Sequence, residues 1–157
     1  RSNRRQRQMC IRDRLNDDEP NVNSSNIYIA THLAILLTNT GEQERANLLL
    51  DRSLTYLQDQ RRLRGSGFEI WELPIYALQG KPKKALTVLR QAIDKSWRNE
   101  WWVAAHHDPA LDSIRDEPEF RAMMDEIRSD MAVQLERVRA MERNGELASI
   151  PELPAAG

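Results

Sequence analysis

Two stretches of the chain superimpose without gaps and decide the fold. Residues 34–54 read AILLTNTGEQERANLLLDRSL, and residues 73–93 read LPIYALQGKPKKALTVLRQAI. The offset is 39 residues, and it places Gly41 opposite Gly80. Each glycine separates two apolar patterns of helical spacing, at a point where a tight turn favours a residue that tolerates positive φ. The repeat therefore predicts two equivalent antiparallel helical hairpins.

The other matched positions of the repeat are apolar or small in both copies. They are Ala34 and Leu73, Leu37 and Tyr76, Ala46 and Ala85, Leu50 and Leu89, Ser53 and Ala92, and Leu54 and Ile93. An alanine follows each glycine by five residues, where the second helix of a hairpin has to approach the first. A small side chain permits that close approach.

The first hairpin begins at a cluster of capping residues. Ser24, Ser25 or Asn26 can cap its first helix, and the break after that helix falls at Asn39-Thr40-Gly41. The apolar stripe of the first helix is Ala30, Leu33, Ala34 and Leu37, and that of the second is Ala46, Leu49, Leu50, Leu54 and Leu57. The basic stretch 61–64 is suited to the C-terminus of the second helix, and we expect Gly65-Ser66-Gly67 to end this helix.

The second hairpin contains a proline in each helical pattern. Pro74 is expected to bend or interrupt the first helix, whereas Pro82, after Gly80-Lys81, is placed to start the second. The apolar residues of the first helix are Phe68, Trp71, Tyr76 and Leu78. Those of the second are Ala85, Leu86, Leu89, Ala92 and Ile93, with Trp97 as a further candidate.

A long amphipathic helix is predicted after the hairpins. Asp108-Pro109 and residues 116–119 are helix-start patterns, and Gly145 is a stop. The stripe between them is Phe120, Met124, Ile127, Met131, Leu135, Val138 and Met141. It packs on the second hairpin and closes the array, or its distal half from Met131 onward pairs with another chain.

Composition predicts an all-α chain and argues against nucleic-acid binding by the folded part. β-branched runs are nearly absent, which disfavours a sheet. The formal net charge of −1 divides into +5 for residues 1–14 and, for the rest, 17 basic minus 23 acidic residues, or −6. No apolar run approaches the ~20 residues that span a bilayer. The single cysteine, Cys10, permits no internal disulfide.

The basic tract at residues 1–14 has three interpretations. It is a disordered arm, or an arm for nucleic acid or a membrane surface, as arginine clusters allow. Alternatively, its string QMCIRDR resembles translated sequencing-adaptor read-through, in which case the tract is artefactual and upstream domains precede this fragment.

Residues 26–97 resemble the tetratricopeptide repeat family. The resemblance is carried by Leu33-Ala34, Gly41, Ala46, Leu50 and Ser53, and by Leu73, Tyr76, Gly80, Ala85, Leu89 and Ala92. It implies antiparallel hairpins stacked in a short α-α superhelix. The family period is about 34 residues, so the longer period implies a longer second helix or linker around residues 58–66. The proline that often ends a repeat is missing from both copies.

Residues 97–150 look like the closing segment of bacterial multidomain signalling proteins with a cyclase-type, winged-helix or kinase-type effector. The likeness is carried by Trp101-Trp102, His107-Asp108-Pro109, Leu111-Asp112, Ile114-Arg115, Pro118, Phe120 and Arg137-Val138-Arg139. It implies a regulatory or scaffolding arm in the cytoplasm, or alternatively the periplasmic part of a membrane-anchored regulator.

Candidate chemistry is sparse. His106-His107-Asp108 contains metal-ligand types, but adjacent helical residues diverge by about 100° and no second cluster completes a site. His32 is expected in a groove or on the surface, Ser24 and Ser25 as caps, and Gly65-Ser66-Gly67 lacks the continuation of a phosphate-binding loop. We expect no catalytic residue, metal or cofactor in this fragment.

A binding groove is expected on the outward face of each first helix, which lines the concave side of stacked hairpins. The candidates are Tyr28, Thr31, Ile35, Thr38, Ile70, Pro74 and Ala77. They are apolar to neutral and favour a neutral extended segment or a helix. Trp71, Trp97, Trp101 and Trp102 are expected in the core, or alternatively in a ligand-stacking site.

The chain is predicted to divide into four parts: residues 1–19, a disordered or artefactual tract; 20–97, the two hairpins; 98–146, the capping segment; and 147–157, a disordered tail.

The predicted function is a non-catalytic protein-interaction module that binds a protein or peptide segment or the parent protein's own effector domain. The alternative is a homodimerisation arm through Met131, Leu135, Val138 and Met141.

Overall fold

The structure is a computed structural model that describes residues 20–64 and 69–146. The described residues form helices and turns, with no strand among them. The α-helices are α1 (Ile27–Asn39), α2 (Gln43–Arg64), α3 (Glu72–Leu78), α4 (Pro82–Asp94), α5 (Trp101–His106), α6 (Asp112–Arg115) and α7 (Pro118–Arg143). Two 3₁₀ turns, Glu69–Trp71 and Pro109–Leu111, complete them. The predictions of an all-α chain and of a long C-terminal helix are confirmed.

Several predictions fall on residues that lie outside the described ranges. These are the N-terminal tract with Cys10, the turn Gly65-Ser66-Gly67, Phe68, and the tail 147–157.

The first hairpin is closed by a backbone turn at Gly41. The Glu42 N–H donates to the Leu37 carbonyl (2.8 Å) and the Gly41 N–H to the Thr38 carbonyl (3.1 Å). This Schellman arrangement requires the residue after the cap to adopt positive φ, and Gly41 has φ +84°. The turn lays α2 back along α1, so that Ala30, Ala34 and Leu37 pack against Ala46, Leu49, Leu50 and Leu57.

The second hairpin repeats the same turn 39 residues later. The Lys81 N–H donates to the Tyr76 carbonyl (2.9 Å) and the Gly80 N–H to the Ala77 carbonyl (3.0 Å). Gly80 has φ +66°. Ala46 and Ala85, the alanines of the two copies, are both fully buried. The corners of the two hairpins are therefore equivalent bond for bond.

The hairpins differ in the lengths of their helices. α2 has 22 residues and α4 has 13, so the extra residues of the period extend α2. The predicted first helix of the second hairpin is divided into a 3₁₀ turn and the seven residues of α3. Pro74 lies in the first turn of α3, two residues after the helix begins at Glu72, and the 3₁₀ turn directly precedes this helix.

The two hairpins share apolar contacts. Ile75 of α3 is fully buried within the core of the first hairpin, and Leu54 of α2 packs against the cores of both. A hydrogen bond from Gln79 Nε2 to Asp51 Oδ1 (2.7 Å) joins them at the surface. The hairpins thus form one continuous packed body.

The C-terminal segment closes this body over the second hairpin. Phe120, Met123, Met124 and Ile127 of α7 are buried in the core that α3 and α4 begin. Arg90 of α4 and Arg98, which follows the second hairpin, hold the same part of α7. Arg90 donates two hydrogen bonds to Glu126 (2.6 and 2.9 Å), and Arg98 donates to Asp130 (2.6 Å). α7 is therefore fixed as far as Met131, which is half-buried.

Beyond Met131, α7 leaves the body. Leu135 is 49% exposed and Val138 is 44% exposed. Neither α7 nor any other helix within residues 20–64 and 69–146 combines the length and the apolar character needed to cross a bilayer.

A further Schellman turn, which the sequence did not indicate, ends α4. The Trp97 N–H donates to the Ala92 carbonyl (2.9 Å) and the Ser96 N–H to the Ile93 carbonyl (2.9 Å). Ser96 takes the position that Gly41 and Gly80 take in the hairpins, with φ +66°. A residue with a Cβ is strained in this conformation by roughly 1 kcal/mol.

We predict opposite stability changes for Ser96→Gly and Gly80→Ala. Ser96→Gly should raise the free energy of unfolding by roughly 0.5–1 kcal/mol, because glycine relieves the left-handed strain. Gly80→Ala should lower it by about 1 kcal/mol through backbone strain alone, since an added Cβ would meet no atom within 4 Å. Urea unfolding measures both, and a destabilised Ser96→Gly chain would contradict the assigned turn.

We predict that the α7 ion pairs make stability depend on acid pH. The hydrogen bond from Arg90 holds the pKa of Glu126 below its ordinary value of 4.5, and that from Arg98 holds the pKa of Asp130 below 3.8. A carboxyl whose pKa is lower in the folded than in the unfolded chain contributes its full stabilisation at a pH above the unfolded-state pKa. That contribution is lost as the pH falls through the folded-state pKa.

The melting temperature of the wild-type chain should therefore exceed that of Glu126→Gln at pH 7, and the two should converge as pH falls below 4.5. Both partners are partly exposed, so we expect a small difference. In an Arg90→Met background, Glu126→Gln should have less effect. A difference that stays constant from pH 7 to pH 3 would contradict this role of the pair.

Candidate functional site

A cleft of about 480 Å³ lies between the hairpins and the C-terminal segment. Three parts of the chain form its walls. α1 contributes Tyr28, Thr31, His32 and Ile35. The start of the second hairpin contributes Ile70, Trp71, Leu73 and Pro74. The segment after α4 contributes Trp97, Asn99, Glu100, Val103, Ala104, His107, Asp108, Pro109, Ala110 and Leu111.

The α1 wall follows from helical geometry. Tyr28, Thr31 and Ile35 recur at steps of three and four residues, so they share one face of α1. Ala30 and Ala34, which are fully buried, lie on another face against α2. The packing of α1 on α2 therefore leaves the Tyr28 face towards the cleft.

Aromatic rings join the two hairpins at the cleft. The rings of Tyr28 and Trp71 meet edge to face with centroids 6.0 Å apart, and those of Tyr28 and His32 are 4.5 Å apart. His32 Nδ1 lies 2.8 Å from the Tyr28 carbonyl oxygen, which fixes the imidazole on the helix. Tyr28 is 61% exposed and Trp71 is 43% exposed. Exposed rings held in this way are suited to bind an apolar surface.

Backbone caps position the opposite wall. Glu100, with φ +50°, precedes the first residue of α5, and the Asp108 carboxylate accepts from the Ala110 N–H (2.9 Å) at the following 3₁₀ turn. Arg115 of α6 then donates to the carbonyls of Ala104 (3.1 Å) and Asp108 (2.7 Å). This guanidinium satisfies carbonyls at the end of α5 and so holds the wall in place.

The chemistry of the lining is apolar with a polar rim. Apolar and aromatic side chains come from all three walls, while His32, Asn99, Glu100, His107 and Asp108 provide the polar groups. Within the part of the chain that the structure describes, the lining contains two carboxylates and no lysine or arginine. The arrangement can therefore bind a ligand through apolar contact, hydrogen bonds and negative charge.

The structure brings five of the seven predicted groove residues together. Tyr28, Thr31, Ile35, Ile70 and Pro74 line the cleft. Thr38 and Ala77 do not belong to it.

Ala77 lies instead in the core of the second hairpin, where it is 2% exposed. Its carbonyl accepts from Ser113 Oγ (3.1 Å), so the C-terminal segment covers the end of α3 where the groove was expected to continue. The positions from Trp97 onward were missed as groove residues, because they reach the cleft only when the C-terminal segment folds back over the hairpins.

The four tryptophans lie in different environments. Trp71 and Trp97 line the cleft. Trp101 is half-buried against the core of the second hairpin, with the Arg128 guanidinium 6.0 Å from its ring centroid. Trp102 is 52% exposed and is not part of the lining.

The histidine pair after α5 lies at the surface. His106 and His107 are exposed, with ring centroids 6.1 Å apart, and Asp108 is engaged as a cap. Within residues 20–64 and 69–146, no three His, Cys, Asp or Glu side chains are grouped so as to hold a metal ion.

A comparison of the chain with protein-family models, with curated proteins and with solved structures finds no match.

Proposed function

We propose that the chain is a non-catalytic, tetratricopeptide-type interaction module whose cleft binds an extended segment of another protein or of its parent's own effector domain. The equivalence of the Gly41 and Gly80 corners supports the repeat, because the same bonds recur at the same spacing. The observation that carries the proposal is the cleft itself, since the exposed rings of Tyr28 on α1 and of Trp71 at the start of the second hairpin face one space.

The dimensions and chemistry of the cleft fit a short peptide stretch. Its volume of about 480 Å³ lies in the range of binding pockets, roughly 300–1,000 Å³. Aromatic side chains that become buried on binding dominate the affinity of many interfaces. Tyr28 and Trp71 have the exposed area for such a role.

The same proposal places the module in a larger cytoplasmic signalling protein of bacteria, as its regulatory or scaffolding part. The support is the resemblance of residues 97–150 to the closing segment of such proteins, together with the way this segment completes the cleft. A module of this kind acts by holding a partner segment, and the chemistry of signalling belongs to an effector domain.

Peptide selection tests the cleft. Random heptapeptides displayed on phage are selected on the full chain, and the affinities of recovered peptides are measured by fluorescence anisotropy. Trp71→Ala should weaken binding by about thirtyfold, which corresponds to roughly 2 kcal/mol for a central aromatic residue.

Trp102→Ala is the matched control, because Trp102 is similarly exposed but lies outside the lining. It should leave the affinity unchanged, and circular dichroism should show that both variants retain their helices. Recovered peptides that bind Trp71→Ala as well as wild type, or the recovery of none, would refute a cleft-binding function.

The second candidate function is homodimerisation through the distal half of α7. The observation in its favour is that Leu135 and Val138 continue the face on which Phe120 and Ile127 are buried, yet both are exposed. Met131 and Met141, on the same face, are half-buried. A second copy would cover this apolar stripe.

Light scattering on the full chain tests this candidate. If α7 mediates a dimer, the double change Leu135→Glu and Val138→Glu should convert it to a monomer, because it puts charge into the stripe. Val133→Glu is the control, since Val133 is 70% exposed and lies about 200° around the helix from Met131. A wild-type monomer at all concentrations tested would remove this candidate.

A further inference from the structure

The charged side chains that the described residues contribute to the cleft lining have one sign. Glu100 is exposed at the start of α5, and Asp108 is half-buried at its far end, so the two carboxylates come from opposite ends of this helix. Among the described residues, the lining contains no lysine or arginine. An anionic or acidic segment would meet repulsion here, whereas a cation would meet complementary charge.

The arginines next to this wall are engaged elsewhere. Arg98 precedes the lining residue Asn99, but its guanidinium donates to Asp130 and to the carbonyls of Ile93 and Trp97. The Arg98 guanidinium is thus paired with Asp130 and with backbone carbonyls, and it is not one of the described lining groups.

Arg115 is engaged in the same way at the other end of α5. It donates to backbone carbonyls, among them that of Asp108, and pairs with Asp112 (2.9 Å). The Asp108 carboxylate accepts from the Ala110 N–H. The charged side chains that this wall contributes to the described lining are therefore the two carboxylates, Glu100 and Asp108.

The aromatic rings add a second preference for cations. Tyr28 and Trp71 are exposed in the cleft, and Trp97 lines its opposite wall. The face of an aromatic ring attracts lysine and arginine, and the attraction is greater where water is displaced. Guanidinium also stacks on such rings while it donates hydrogen bonds to carboxylates.

We propose that the cleft selects an extended protein segment in which an arginine or lysine lies among apolar residues. The cation pairs with one of the two carboxylates of this wall, Glu100 or Asp108, and the apolar neighbours contact Tyr28, Ile35 and Trp71. This inference rests on the proposed function and reverses the sequence-based expectation of a neutral partner, because the carboxylates belong to the wall that the C-terminal segment supplies.

The test uses the heptapeptides selected on the full chain. Sequences with arginine or lysine beside apolar residues should dominate, and their affinity should fall as salt is raised. Replacing the cation of a selected peptide by glutamine should weaken binding about tenfold on the wild-type chain. On a chain with Glu100→Gln and Asp108→Asn, the same replacement in the peptide should leave the binding affinity unchanged.

Both substitutions preserve shape, and asparagine retains the capping oxygen that Ala110 requires. If circular dichroism shows a loss of helix in the double variant, Glu100→Gln alone supplies the comparison, since Glu100 is exposed. On the Glu100→Gln chain, replacing the peptide cation by glutamine should weaken binding less than it does on the wild-type chain, but binding should still weaken.

The outcomes separate this inference from the function on which it rests. Peptides that depend on Trp71 but lack a cation, or whose cation contributes equally on the double variant, overturn the charge preference and leave the interaction module intact. A selection that yields no peptide dependent on Trp71 overturns both.

Discussion

The structure depends on a chain reversal that is made twice. After the first helix of each hairpin, an N–H two residues beyond the cap returns to a carbonyl of the last turn, from Glu42 to Leu37 and from Lys81 to Tyr76. This bond needs positive φ at the intervening residue, which Gly41 and Gly80 supply without strain. Once the turn is made, the alanine five residues on allows the helices to approach, and the cleft-facing side of α1 is fixed by its packing on α2.

Much of this architecture could be predicted because its causes are local in sequence. The corners depend on hydrogen bonds between residues close in the chain, and glycine is a strong indicator of them. The buried half of α7 could be recognised because Phe120, Met124 and Ile127 recur at helical spacing. The turn at Ser96 could not be predicted, because serine, unlike glycine, does not indicate a residue with positive φ.

One part of the candidate site was equally accessible to sequence reasoning. Tyr28, Ile35 and Ile70 were found by counting outward from the core stripe, which works whenever a helix buries one face and exposes the other. The other wall depends on Arg115, whose guanidinium reaches carbonyls seven to eleven residues earlier, and on contacts between segments far apart in the chain. Because these tertiary contacts have no periodic signature, the carboxylates of the cleft were missed.

Only the first half of α7 packs on the core, so the two halves of this helix differ in local stability. The amides around Phe120–Ile127 lie in a segment that can open only with the core, whereas those beyond Val133 belong to an exposed segment with local ion pairs such as Arg139 with Glu136. An isolated helix as short as this exposed segment, which runs from Val133 to the end of α7 at Arg143, is marginal in water. The distal turns can therefore unwind and rewind at little cost while the proximal turns stay helical. The helical content of the exposed end of α7 can thus respond to temperature, salt or contact with another surface.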